Sequence, residues 1–205
     1  MLTLAPVTSL ADLDPNGTYS YADYLNWQFE ELVELWRGKI MRRMSAPTDR
    51  HQAVVGEFHY LFKAYLRRQR CQVRVAPYDV RLPQPGSTAD QAIYTVVQPD
   101  LCIICDPSKI EKRGCLGAPD LVIEVTSPST AARDWRDKFD LYEEAGVQEY
   151  WIVDPLGQDV SAFVRDAATG RYRLVGEYSR PGPVPCATLP ELGLSWEDVF
   201  ADAEA

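Results

Sequence analysis

The chain has 205 residues, 46% hydrophobic and 11% aromatic, which is enough apolar material for one full core and excludes a disordered chain. No apolar run approaches the ~20 residues of a membrane span, and the start lacks the basic-then-apolar pattern of a secretion signal, so a cytoplasmic protein is expected. The net charge of −9 excludes attraction of nucleic acid by overall basicity; any phosphate contact has to come from local Lys and Arg clusters.

Up to Gly17 the chain reads as irregular. Residues 20–32 predict a short helix, with Tyr24, Trp27 and Glu31 near helical spacing. Residues 32–36 and 39–44 predict a hairpin turned by Arg37-Gly38. Glu34 lies on its first strand, either facing solvent or serving as a third carboxylate of a site. Residues 48–70 predict a long amphipathic helix striped by Val54, Val55, Phe58, Leu61, Phe62, Tyr65 and Leu66. His51 lies at its start, as a cap or as a phosphate contact. Residues 71–82 read as one extended strand, and residues 84–92 as a loop around Pro85-Gly86-Ser87.

The most informative stretch follows. Gln98-Pro99-Asp100 opens one strand, and Pro119-Asp120-Leu121-Val122-Ile123-Glu124-Val125 forms another. Strand side chains alternate, so Asp100, Cys102 and Ile104 share a face, as do Asp120, Val122 and Glu124. Both strands are otherwise apolar on both faces and read as buried, central strands. Asp100 can cap a turn and Glu124 can meet an arginine; alternatively the two acids share a cation, which turns their repulsion into attraction. The intervening loop carries Lys109, Lys112 and Arg113, a solvated face or a DNA contact. Cys102 and Cys105 point to opposite faces of a strand, which argues against zinc and for buried free thiols, Cys115 included.

After a turn at Ser127-Pro128-Ser129-Thr130, with Ser129 or Thr130 as N-cap, a helix carries Asp134, Lys138 and Tyr142. Trp135, Phe139, Tyr142 and Ala145 recur at helical spacing, and Gly146 suits the stop. Lys138 borders this stripe. It either pairs with Asp134, worth about 0.3–0.5 kcal/mol, or runs its stem along apolar surface to a pocket. Residues 149–154 predict a strand, 159–165 and 172–177 a hairpin, and 192–200 a closing strand or short helix. Two acids on neighbouring strands with a lysine from the next helix are the set that a metal-dependent phosphodiester hydrolase needs.

This text resembles the PD-(D/E)XK nuclease superfamily, and more closely the large bacterial Uma2 family of restriction-endonuclease type. The resemblance rests on Val97-Gln98-Pro99-Asp100-Leu101, on residues 117–125, on Ser127-Pro128-Ser129-Thr130, Asp134 and Lys138-Phe139-Asp140-Leu141-Tyr142, and on residues 146–155. It extends upstream to Glu34-Leu35, Gly38, Ser45-Ala46-Pro47 and His51. The resemblance implies an α/β (α+β) fold, a restriction-endonuclease-like mixed sheet flanked by helices, with an N-terminal helix and hairpin, in a single domain over 1–205. It implies that Asp100 and Glu124 ligate Mg²⁺ or Mn²⁺, with the Val125 backbone carbonyl as third ligand. The superfamily's lysine position, two residues after the second acid, is Thr126 here. Lys138 takes its place from the following helix. The implied activity is a DNA endonuclease leaving 5′-phosphate ends, as a homodimer; the alternative is an inactive descendant serving as a binding or assembly module.

Overall fold

The computed structural model describes residues 6–42, 46–127 and 134–200, with the backbone alone at Asp134. Among these residues, twelve strands form two six-stranded sheets. A single helical turn, α1 (Tyr21–Tyr24), precedes the hairpin β1 (Val33–Trp36) and β2 (Lys39–Arg42), and α2 (Asp49–Tyr65) follows. Then come β3 (Gln72–Val75), β4 (Val80–Arg81), β5 (Val96–Val97), β6 (Leu101–Ile104), β7 (Ile110–Glu111), β8 (Gly114–Leu116) and β9 (Leu121–Val125). A π-helical turn (Asp134–Lys138) leads into α3 (Phe139–Ala145), followed by β10 (Glu149–Asp154), β11 (Asp159–Arg165), β12 (Tyr172–Tyr178) and α4 (Trp196–Phe200).

The sheet with the longer strands runs β12-β11-β10-β9-β6-β3 and holds both motif strands in its interior. All its pairs are antiparallel except β9 and β10, which are parallel and are joined by the crossover through α3. This explains why both motif strands are apolar on both faces. On one face Leu101, Ile103, Leu121 and Ile123 pack with Val54, Phe58 and Phe62 of α2. On the other, Cys102, Ile104 and Val122 pack with Leu141 and Tyr142 of α3 and with Tyr150 and Ile152 of β10. The alternation expected from the sequence therefore sorts these residues into the correct layers. The second sheet runs β2-β1-β5-β4-β8-β7.

Helix α2 starts where Thr48 caps it, its side chain accepting from the His51 amide. Helix α3 stops at Gly146, left-handed at φ 85°, whose N–H bonds back to the carbonyls of Tyr142 and Glu143. Trp135 is 46% exposed and meets Phe163 edge-on. The π turn shifts it off the stripe that α-helical spacing predicts.

Four expectations are corrected. The helix predicted over residues 20–32 is one turn, started by a Ser20–Asp23 capping box. Beyond it the aromatic residues pack among themselves, Tyr24 on Trp27 and Trp27 on Phe29, and Trp27 bridges to Val7. The single strand predicted over residues 71–82 is two strands in different sheets, because Pro77 has no N–H to continue a ladder. The basic loop contains the β7–β8 hairpin; Gly114, at φ 107°, is required there because a Cβ would collide with the Asp79 carbonyl. Cys105 is not a free thiol. The register Gln72↔Ile104 sets Cys71 opposite Cys105 at the end of β3 and β6, and the two form a disulfide. Cys102, Cys115 and Cys186 are free and buried. The end of the β2 hairpin strand beyond Arg42, and the N-cap expected at Ser129 or Thr130, lie outside the described residues.

Candidate active site

Strands β6 and β9 pair antiparallel with Leu101 opposite Ile123. Continuing that register by one residue sets Asp100 opposite Glu124, and directly opposed residues project to one face. Both acids are buried, at 8% and 2% exposure. Asp100 Oδ2 accepts from the Val125 amide at 2.9 Å and lies 3.2 Å from His51 Nε2. Burial opposes ionisation of Asp100, but the His51 hydrogen bond, the positive charges of His51 and Lys138 and the Val125 amide outweigh it. The carboxyl is held below the usual carboxylate range.

The β9–α3–β10 crossover lays α3 over this face. Lys138, 7% exposed, closes the π turn and donates from Nζ to Glu124 Oε1 at 2.7 Å. Tyr142, one turn further, donates its hydroxyl to the same oxygen at 2.6 Å. Burial, then the nearby Glu124 and Glu34 charges, push the Tyr142 pKa well up, so it stays a protonated donor. Lys138 thus reaches the pocket that spacing leaves open to it. The side chain of Asp134 lies outside the described residues.

Glu34 is buried, not solvent-facing. Its Oε1 accepts from the Gln98 amide at 2.7 Å and its Oε2 from Trp36 Nε1 at 2.9 Å. It thus grips the chain two residues before Asp100, and its charge is felt at Tyr142. Gln98 extends the network, donating from Nε2 to Asp79 at 2.8 Å. His51, read from sequence as a cap or phosphate contact, sits at the first turn of α2 with its ring against Asp100. The basic loop is engaged elsewhere. Lys109 Nζ donates to the Ala118 carbonyl at 2.8 Å, and Arg113 forms a two-point contact with Asp90 at 2.7 and 3.1 Å. Lys112 is exposed at the β7–β8 turn.

Two contacts are absent from the sequence-based reading. Tyr142 is read there as part of an apolar stripe; its place four residues after Lys138 on one helix face is the signal that pairs them. The His51 contact to Asp100 spans 49 residues, and no local spacing announces it. The set can do three things: hold two carboxylates in fixed opposition, keep an ammonium against them, and exclude water from the sheet behind.

Known proteins bear on this arrangement. The model of the Uma2 family, described as "Putative restriction endonuclease", matches residues 21–197. An uncharacterized protein of Synechocystis sp. (strain ATCC 27184 / PCC 6803 / Kazusa), slr1290, is 25% identical over 166 residues, 80% of this chain and 80% of that protein. A crystal structure of "a putative nuclease belonging to DUF820" from Anabaena variabilis ATCC 29413 superposes with a TM-score of 0.69, covering 90% of this chain and 99% of that one at 22% identity. That likeness shows the fold alone, a restriction-endonuclease-like mixed sheet flanked by helices. Because the family match begins at α1, ends within α4 and takes in every residue of the cluster just described, this chain belongs to the Uma2 family.

Proposed function

We propose that the protein is a metal-dependent endonuclease that hydrolyses DNA phosphodiester bonds, with Asp100, Glu124 and the Val125 carbonyl holding a Mg²⁺ or Mn²⁺ ion. The observation that carries this reading is the opposition of Asp100 and Glu124 with Lys138 Nζ 2.7 Å from Glu124 Oε1. The donor set fits the ion. Among the described residues no group of three or more His, Cys, Asp and Glu is clustered for a metal. Two carboxylates and a carbonyl suit magnesium, which keeps several waters and takes one or two protein carboxylates. The N–H of Val125 points at Asp100, and the carbonyl of a strand residue shares the edge of its N–H.

Such an ion, when bound, makes a water acidic enough to attack phosphorus and stabilises charge on the phosphate. Lys138 places a positive charge where phosphate oxygens become more negative, in a buried setting that strengthens it. Tyr142 and Lys138 together fix Glu124, and Glu34 fixes the segment leading to Asp100. Lys112 is the member of the 109–113 group with its ammonium exposed, and it reaches for the DNA backbone in this reading. A homodimer places two such centres on the two strands.

Alanine substitution of Asp100, Glu124 or Lys138 tests the reading in a plasmid-nicking assay with Mg²⁺ or Mn²⁺. Abolished nicking in all three, measured at a temperature where each variant is still folded, is the expected result. Cleavage that survives all three substitutions rules the assignment out.

A further inference from the structure

His51 is poorly explained as an architectural histidine. It is buried at 8% exposure, yet its Nδ1 has no hydrogen-bond partner among the described residues. A packed structural imidazole ordinarily uses both nitrogens, because an unsatisfied buried polar atom costs about 1–3 kcal/mol. The ring makes one such bond, from Nε2 to Asp100 Oδ2 at 3.2 Å. An ionised carboxylate only accepts, so Nε2 carries the proton of that bond whatever the charge of the ring. The ring is itself held: Thr48 caps the turn it stands on, and α2 is pinned to the sheet through Val54, Phe58 and Phe62.

We infer that His51 is a positioning residue for Asp100. Its Nε2–H and the Val125 amide clasp Oδ2 from two sides and fix the rotation of the carboxylate about its last bond. That leaves the orientation in which Asp100 meets a divalent cation predetermined instead of chosen on binding. The inference rests on the metal reading above. It assigns no proton transfer to the ring; the effect is geometric, through the carboxylate that His51 holds. Partners of this kind typically change metal affinity by about 10- to 100-fold when removed.

Calorimetric titration with Mn²⁺ alone tests it, on the whole chain with folding checked by thermal melting. His51→Ala is expected to weaken Mn²⁺ binding by about 10-fold or more. His51→Gln, whose amide nitrogen falls near the place of Nε2, is expected to recover most of the loss. Unchanged affinity in His51→Ala overturns the inference, as does equal weakening in both variants, which would point to ring packing. Absence of Mn²⁺ binding by the unsubstituted protein overturns the metal reading instead. The contact is then judged in the metal-free protein by long-range ¹⁵N NMR. A proton on His51 Nε2 whose shift changes in Asp100→Asn supports the clasp; a ring protonated on Nδ1 only overturns it.

Discussion

Two buried glutamates sit on adjacent parallel strands of one sheet, and they are satisfied in different ways. Glu149, at the start of β10, is 1% exposed. Its carboxylate accepts from Trp151 Nε1 at 2.8 Å and from the backbone amides of Ala187 and Thr188 at 2.9 and 2.6 Å. These are neutral donors fixed by the chain, and they anchor the segment after β12 to the sheet. Glu124, near the end of β9, takes an ammonium and a phenol from the tips of long side chains instead. Burial is equal in the two; the donors are not. A carboxylate clamped largely by backbone amides is an anchor, whereas Glu124 is held by side-chain tips alone among its described donors, opposite a second acid.

The sharpest way to break this contrast is to neutralise each acid. Glu124→Gln keeps the size and removes the charge, and nicking is expected to fall by about 10²–10³-fold, the scale of a lost electrostatic contact in an active site. Its melting temperature should fall less than that of Glu149→Ala, because the amide oxygen can still accept from Lys138 and Tyr142. Glu149→Ala is expected to behave in reverse. It strips partners from the buried Trp151 N–H and from two part-buried amides, so stability should fall by about 3 kcal/mol and the melting temperature by on the order of 10 °C. Specific nicking per folded molecule should stay as in the unsubstituted protein. Burial pushes the Cys186 thiol well up, with the neighbouring Glu149 charge adding to it, so the native thiol should resist alkylation near neutral pH. Equal behaviour of the two glutamate variants would erase the distinction drawn here.

Smaller effects sharpen it. Tyr142→Phe removes one of the described donors to Glu124 and should cost about 1 kcal/mol by chemical denaturation, with Lys138 keeping the charge compensated. At the rim, Arg37 pairs with Glu144 at 2.7 Å with both side chains more than half exposed, linking the hairpin that carries Glu34 to α3. A double-mutant cycle at this pair should give less than about 1 kcal/mol, vanishing at high salt.

What was legible in the sequence follows one rule. Period-two alternation was enough to place Asp100 and Glu124 on faces with Cys102 and Val122, because both strands are central and covered on both sides. The apolar stripe and Thr48 cap were enough to place α2. Lys138 could be put beside the stripe but not assigned a partner, since its destination depends on how the crossover lays the helix on the sheet. Pro77 is a local mark of the break in residues 71–82 and the β7–β8 turn is local too, whereas the pairing of β4 with β8 and the contacts of His51 with Asp100 and of Cys71 with Cys105 are non-local. Each depends on chain brought from 30 or more residues away, and nothing in neighbouring residues encodes that.

The crossover between β9 and β10 has a consequence for synthesis. Asp100, Glu124, Lys138 and Tyr142 come together only when α3 lies on the sheet, and α3 is held there between strands that flank it in the chain. A polypeptide still leaving the ribosome has both acids well before it has β10 to complete the parallel pair. If the cluster cuts DNA, a copy that has not yet grown through β10 is harmless, and the destructive chemistry switches on only once that strand has joined β9.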